Sequence, residues 1–286
     1  MRHPIFYAAL AGCALALSGC DGRQDAQAAR ALKSVNAIDE TNLSDIMLTV
    51  GDPEEAVAYF TRTASENPDR IDLQRGLAKS LVRNNQSADA EKVWAKVVSM
   101  PGATNDDKVA LAEAQIRSGN WTAAKATLNT IPPTHETFER YKLEAMVADS
   151  EKNWSKADSF YETAQGLTTR PSGVLNNWGF SKLTRGDAKG AEKLFAEALT
   201  YDPTSFTSKN NLVLARAAQR KYDLPVIDMT QSERAHLLYT AALSAIKQGD
   251  VTMGKGLLQD AVDTSPTYFE EAARALEALD AGNKQG

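Results

Sequence analysis

Residues 172–205 read SGVLNNWGFSKLTRGDAKGAEKLFAEALTYDPTS, and this stretch decides the fold. On either side of Gly186, apolar and small residues recur every three or four positions, which is the spacing of one face of an α-helix. Pro203 falls where the second helix must end, because proline cannot continue a helix interior. The stretch therefore predicts two helices joined by a tight turn at Gly186.

The same pattern recurs through most of the chain with a period of 34 residues. Polar or glycine residues typical of turns are spaced by 34, 34, 33, 34, 34 and 29 positions: Gly51, Asn85, Gly119, Lys152, Gly186, Arg220 and Gly249. Five residues after each turn comes a small residue, except at Pro225, and four further on comes a large one. These pairs are Ala56 and Phe60, Ala90 and Trp94, Ala124 and Leu128, Ala157 and Tyr161, Ala191 and Phe195, and Gly254 and Leu258. One helix pair cannot bury its apolar face alone, so the repeat predicts a stack of pairs.

This pattern resembles the tetratricopeptide repeat (TPR) family. The clearest copy carries the family hallmarks Leu175, Trp178, Gly179, Gly186, Ala191, Phe195, Ala198 and Pro203. Lys182 departs from the family pattern, which usually has an aromatic residue there. The resemblance implies an all-α, TPR-type helix-turn-helix solenoid, a right-handed superhelix that binds other proteins on the face lined by its first helices.

We expect the solenoid to cover residues 37–281, with residues 20–36 as a short tether before it. A single amphipathic helix, carrying Phe269, Ala272, Ala273, Leu276 and Leu279, is suited to cap its end. The predicted units are about 37–70, 71–104, 105–137, 138–171, 172–205, a degenerate unit 206–234, and 235–268, followed by the cap 269–281.

The first nineteen residues are predicted to be a signal peptide. A basic start precedes an apolar run over residues 5–17, which is too short to span a bilayer as a helix. The run ends in Leu17, Ser18, Gly19 and Cys20, which resembles the lipobox of bacterial lipoproteins. That resemblance implies cleavage before Cys20 and its acylation, which gives a lipid anchor in the cell envelope facing the periplasm. The alternative is an ordinary signal cut nearby, with Cys20 as a free thiol.

Composition argues against several functional classes. The 32 basic and 37 acidic residues give a net charge of -5, which disfavours a nucleic-acid partner. Cys13 and Cys20 are the only cysteines, so a disulfide framework or thiolate metal cluster is excluded. His135, expected to be solvated in its loop, and His236, at the start of a helix, lack neighbours at metal-ligand spacing. We therefore expect no metal, no cofactor, no small-molecule substrate and no catalytic residue.

One unit is interrupted where its second helix should be. Pro225 stands at the small-residue position, and the β-branched pair Val226 and Ile227 favours an extended strand. The helix is predicted to resume after Thr230, which forms a capping box with Glu233. Two interpretations of residues 223–229 stay open: an irregular connection over a hydrophobic seam, or a strand that regulates or completes a binding groove.

Paired asparagines suggest where a partner binds. Asn176 and Asn177 recur 34 residues later as Asn210 and Asn211. In some TPR proteins an asparagine at the place of Asn177 and Asn211 holds an extended peptide backbone, because an amide offers both a donor and an acceptor. Alternatively, these amides cap or bridge adjacent helices. Four cations form either a basic inner patch or a solvated face: Arg75, Lys79, Arg83 and Arg117.

Residues 172–220 also resemble the TadD family, the TPR lipoproteins of tight-adherence (Tad or Flp) pilus systems. The resemblance rests on the run from Val174 to Gly179, on Gly186 with Asp187, and on the run from Lys209 to Ala215. The chain departs from the pattern of that family at Lys209 and at the interruption around Pro225. The resemblance implies a role in assembling a Flp pilus secretion system, with its secretin as a suspected partner. Rivals are another envelope TPR lipoprotein, such as a type IV pilotin or a cell-wall-enzyme adaptor, and an enzyme with distant catalytic groups.

Overall fold

The computed structural model describes residues 43–282. The predicted signal peptide, Cys20 and the tether lie outside the described residues, as does the start of the predicted solenoid. Within the described range, every regular element is an α-helix, so the predicted all-α fold is confirmed. The helices are α1 (residues 43–49), α2 (Pro53–Glu66), α3 (Ile71–Arg83), α4 (Ser87–Ser99), α5 (Asn105–Arg117), α6 (Trp121–Asn129), α7 (Phe138–Ser150), α8 (Trp154–Gly166), α9 (Ser172–Thr184), α10 (Ala188–Tyr201), α11 (Phe206–Ala217), α12 (Gln231–Lys247), α13 (Val251–Thr264) and α14 (Glu270–Gly282).

The helices form two compact units. The first ends at Ala103 and contains α1 to α4, and the second begins at Thr104 and contains α5 to α14. Consecutive helices pack as pairs within each unit: α3 with α4, α5 with α6, α7 with α8, α9 with α10, and α12 with α13. In the second unit, the first helices also touch one another, α7 with α9, α9 with α11, and α11 with α12.

The predicted turns close the first helices in a common way. Six of the seven predicted turn residues have a positive φ: Asn85, Gly119, Lys152, Gly186, Arg220 and Gly249. At Gly186, where φ is 89°, the Asp187 N–H donates to the Lys182 carbonyl at 2.9 Å. This hydrogen bond satisfies a carbonyl that the helix end leaves free, as in a Schellman motif. The period of the turns therefore reflects a repeated helix termination.

The predicted pairs of small and large residues form the core, which confirms the helix-packing pattern. Ala56, Ala90, Ala124, Ala157 and Ala191 are fully buried, and no large partner is more than 3% exposed. Burying each large side chain contributes about 1.5–3 kcal/mol. The small residues let the two helices of a pair approach closely, so the large side chains fill the space beside them.

The interrupted unit has no second helix. Residues 221–230 are neither helical nor part of a sheet, so of the two open interpretations the strand is wrong. A strand needs a neighbouring strand for its backbone hydrogen bonds, and the described chain offers none. The capping box is confirmed: Thr230 Oγ1 accepts from the Glu233 N–H at 3.1 Å, and Glu233 accepts from the Thr230 N–H at 2.8 Å.

The irregular segment covers apolar surface that a helix would otherwise bury. Tyr222, Leu224 and Met229 pack on the core shared by the last helices, and Ile227 packs on the core around Phe195. These contacts favour the interpretation of an irregular connection over a hydrophobic seam. Val226, by contrast, is fully exposed.

The last described helix, α14, is the predicted cap. Phe269 and Ala272 are buried, and Leu276 and Leu279 pack against the core of α12 and α13. The α14 helix therefore covers an apolar face that the last helix pair would otherwise leave exposed. None of the described helices is both long and apolar enough to cross a bilayer.

Candidate peptide-binding surface

The four candidate asparagines lie where the first helices of neighbouring units meet. Asn176 Oδ1 on α9 accepts hydrogen bonds from Asn211 Nδ2 at 3.0 Å and from Ser208 Oγ at 3.3 Å, both on α11. Asn210 Oδ1 accepts from Thr240 Oγ1 on α12 at 2.7 Å. These bonds support the alternative in which the amides bridge adjacent helices.

Asn177 differs from the other three asparagines. Its Nδ2 lies 3.7 Å from the Met146 sulfur on α7, and its side chain lines an open pocket. A thioether is a weak acceptor, so this contact leaves most of the amide's hydrogen-bonding capacity for a ligand. A peptide-binding role for the four asparagines stays a prediction, and Asn177 is the best placed for it.

An apolar row runs along the same face and was missed by the sequence interpretation. Its members stand 34, 34 and 29 residues apart, each directly after a buried residue that packs inside its helix pair: Met146, Phe180, Leu214 and Leu243. Because the first helices pack side by side, residues at the same register lie on one face. Phe180 is 53% exposed and Leu243 is 42% exposed. The 34-residue spacing of Met146, Phe180 and Leu214 is the sequence signal that could have identified this row.

This face contains a pocket of about 280 Å³ formed by α6 to α9. Trp121 and Phe180 stand exposed at its lining, together with Met146 and Asn177. Exposed aromatic side chains with partly buried surroundings are typical anchors for protein partners. The pocket is therefore a candidate binding point for a protein partner.

One carboxylate, that of Asp149, lines this pocket. Asp149 Oδ1 accepts from Ser181 Oγ at 2.7 Å, and Asp149 Oδ2 accepts from Tyr161 Oη at 2.9 Å. Burial raises the pKa of Asp149 above its ordinary value, although the two hydroxyl hydrogen bonds oppose this. Burial and the neighbouring Asp149 charge raise the pKa of Tyr161.

A second carboxylate, that of Asp158, accepts hydrogen bonds from three side chains. Asp158 accepts from Arg185 at 2.6 and 2.8 Å, from Trp178 Nε1 at 2.6 Å and from Lys182 Nζ at 3.1 Å. Burial alone would raise the pKa of Asp158, but these hydrogen bonds hold it below its ordinary value. The Arg185 guanidinium also lies 5.7 Å from the ring centroid of Trp154. This cluster ties α8 to the following helix.

The histidines do not form a site. His135 is half-buried, with Nε2 3.0 Å from Asp106 Oδ1, so the expectation of a solvated side chain is wrong: the loop folds back onto α5. His236 is exposed, and its ring lies 4.7 Å from Phe269. Within the described range, no group of three or more His, Cys, Asp or Glu side chains is placed to hold a metal ion.

Two cations of the candidate basic patch form contacts within the protein. In the first unit, Arg83 donates to the carbonyls of Met47 at 2.7 Å and Gly51 at 2.8 Å. In the second unit, Arg117 pairs with Glu113 at 2.8 Å. A helix end thus holds Arg83 and a neighbouring acid holds Arg117, which argues against a basic inner patch.

The interrupted unit borders a different cavity. This space of about 670 Å³ is lined by residues of the segment 222–229 together with Arg234, Leu238, Leu257 and Asp260. None of these residues lines the pocket beside Phe180. Residues 223–229 therefore do not line the candidate peptide-binding pocket.

Comparisons with known proteins agree with this architecture. Residues 47–99 match the tetratricopeptide repeat family. No curated protein matches the chain. Among solved structures, the chain is similar to the APC/C hetero-tetramer Cut9–Hcn1, with a TM-score of 0.60 and 14% identity over 82% of this chain and 48% of that one. It thus spans about half the length of that relative.

Two further structures cover much of the chain. A TPR protein from Parabacteroides merdae gives a TM-score of 0.55 and 12% identity over 83% of this chain and 96% of that one. The human IFIT1 dimer with PPP-AAAA gives a TM-score of 0.57 and 13% identity over 82% of this chain and 60% of that one. At these identities the likeness shows the fold alone. The described helices form a TPR-type solenoid, a class of protein whose extended surfaces bind protein partners.

Proposed function

We propose that this chain is a protein-binding scaffold that holds an extended segment of a partner on the face of α7, α9, α11 and α12. The observation that carries the proposal is the exposure of Phe180 and Trp121 at a pocket that also presents the Asn177 amide. Apolar anchors bury area on binding, and an amide pairs with the backbone of an extended peptide.

We further propose that the scaffold is a lipoprotein anchored through Cys20 in the cell envelope, where it supports assembly of a Tad or Flp pilus secretion system. The lipobox and the resemblance of residues 172–220 support this proposal. The partner would be a protein of the pilus apparatus, with the secretin as the first candidate. Its task would be to help localise or assemble that secretin.

A second candidate function uses the same scaffold elsewhere in the envelope. A type IV pilotin or an adaptor for cell-wall enzymes would need the same lipid anchor and the same peptide-binding face. The partner alone separates these candidates from the pilus role, so the deciding experiment must identify that partner.

The test is a crosslinking pull-down from native membranes, read by mass spectrometry, with the full-length wild type and three variants. We expect secretin and other pilus components with the wild type, their loss with Cys20→Ser, and a reduced yield with Phe180→Ala. Val226→Ala is the matched control, because it removes an exposed apolar side chain that does not line this pocket.

The outcomes separate the parts of the proposal. Cell-wall enzymes without pilus components would support the second candidate and exclude the pilus role. An unchanged yield with Phe180→Ala would contradict the binding face. Recovery of the same pilus components with Cys20→Ser would show that the lipid anchor is dispensable for partner binding.

A further inference from the structure

We propose that the pocket beside Phe180 recognises a cationic side chain of the partner, a lysine ammonium or an arginine guanidinium. The inference rests on the proposed function, because it specifies the chemistry of the segment that the scaffold holds. It assigns the recognition of charge to Asp149 and the recognition of the aliphatic stem to the aromatic lining.

Asp149 has unused capacity to bind a cation. Its two oxygens accept one hydrogen bond each, from Ser181 and Tyr161, whereas a carboxylate has about four acceptor sites. Among the described residues, Asp149 makes no ion pair. The Arg185 charge acts on this half-buried carboxylate from a distance, without an ion pair, so a cation in direct contact would still lower its free energy, since burial weakens its hydration.

The other lining residues suit the rest of such a side chain. Trp121 and Phe180 line the pocket with exposed rings, and aromatic rings attract ammonium and guanidinium groups. Lysine and arginine also bury apolar stems of three or four methylenes along such surfaces. The volume of about 280 Å³ accommodates one long side chain.

The protein's own cations leave Asp149 to the ligand. Arg185 and Lys182 are the basic residues beside the pocket, and both are bound to Asp158, Arg185 through two hydrogen bonds. Asp149 accepts its hydrogen bonds from Ser181 and Tyr161 instead. The two acids therefore have different roles: Asp158 joins helices, and Asp149 faces the open pocket.

The experiment uses the full-length protein and a synthetic library of capped nonapeptides. We expect the wild type to select peptides with Lys or Arg at one fixed position. Asp149→Asn should lose this selection while still binding peptides through their apolar residues, and Asp149→Glu should restore it. Glu162→Gln is the matched control, because it removes an equal charge from an exposed position on α8.

A second measurement is independent of any variant. Replacing the selected arginine by citrulline keeps the shape of the side chain and removes its charge. We expect wild-type affinity for the peptide to fall about tenfold or more, as for loss of a charge-assisted hydrogen bond. Equal affinity for both peptides would overturn the inference.

The library also separates this inference from the proposed function. If the wild type selected apolar residues alone, and mutation of Phe180 abolished that selection, the peptide-binding scaffold would stand and the cationic specificity would be overturned. Failure of every peptide to bind the wild type would overturn both.

Discussion

Gly179 illustrates how a single residue controls the approach of two helices. A Cβ atom built there would lie 2.7 Å from Phe195 Cε1, closer than side chains approach in folded proteins. Phe195 is completely buried, so it has no free space into which it can move. The absence of a side chain at Gly179 therefore lets α9 and α10 pack around this ring.

We predict that Gly179→Leu destabilises the protein by about 1–3 kcal/mol through overpacking. Gly173→Ala on the same helix is the control, since a Cβ there meets nothing within 4 Å. The control should be neutral or stabilising by up to about 1 kcal/mol, because alanine favours the helix. Urea unfolding measures both, and equal effects would contradict the close packing at Gly179.

At the scale of elements, one polar contact recurs between neighbouring units. Asp158 on α8 accepts hydrogen bonds from the following first helix, and Glu192 occupies the equivalent place 34 residues later on α10. Glu192 accepts from Gln219 at 2.7 Å and from Arg216 at 3.1 Å. These contacts fix how each second helix sits against the next unit, which apolar packing alone does not specify.

We predict that Asp158→Asn destabilises the protein by about 1.5–3 kcal/mol at pH 7, the range for hydrogen bonds to charged groups. The pKa of Asp158 is lowered in the folded state, so its contribution is present above the carboxyl pKa of the unfolded chain. That contribution is lost as the pH falls through the lowered folded-state pKa. The difference from the wild type should therefore shrink below a pH of about 4.

The control for this variant is Asp89→Asn. Asp89 pairs with Lys92 on the same helix, and both side chains are mostly exposed. Such a pair contributes at most about 0.5 kcal/mol. Equal losses for the two variants in chemical unfolding, or a loss for Asp158→Asn that does not depend on pH, would contradict the inter-unit role of Asp158.

At the scale of the whole molecule, stability depends on contacts between sequence neighbours. The described helices pack mainly on the helices next to them in the chain, as expected for a repeat protein. The C-terminal helix α14 therefore protects α12 and α13 directly. Loss of this helix exposes the apolar face beneath Phe269 and Ala272.

We predict that deleting residues 269–286 lowers hydrogen-exchange protection in α12 and α13 by about tenfold or more, while α7 to α10 change much less. A chain that ends at Gly282 is the control and should keep wild-type protection. A uniform loss across residues 104–268 would instead show that the second unit unfolds as one cooperative body.

The sequence predicted the helix pairs, the turns and the core because each depends on spacing along one or two adjacent helices. Gly186 and Lys152 mark helix ends by local backbone chemistry, and Ala191 with Phe195 marks a buried face by the period of the α-helix. The capping box at Thr230 is equally local. For residues 221–230 the sequence left two courses open, an irregular connection and a strand, because a β-branched sequence forms a strand only beside another strand.

The arrangement of the candidate binding surface depends on the tertiary structure. Asn176 and Asn211 meet across 35 residues, and Asp149 meets Tyr161 and Ser181 from separate helices. A 34-residue period shows which helices are neighbours, but it does not show how each is rotated against the next. That rotation is set by the packing of whole helix faces, and it determines whether an asparagine bridges two helices or opens onto a ligand.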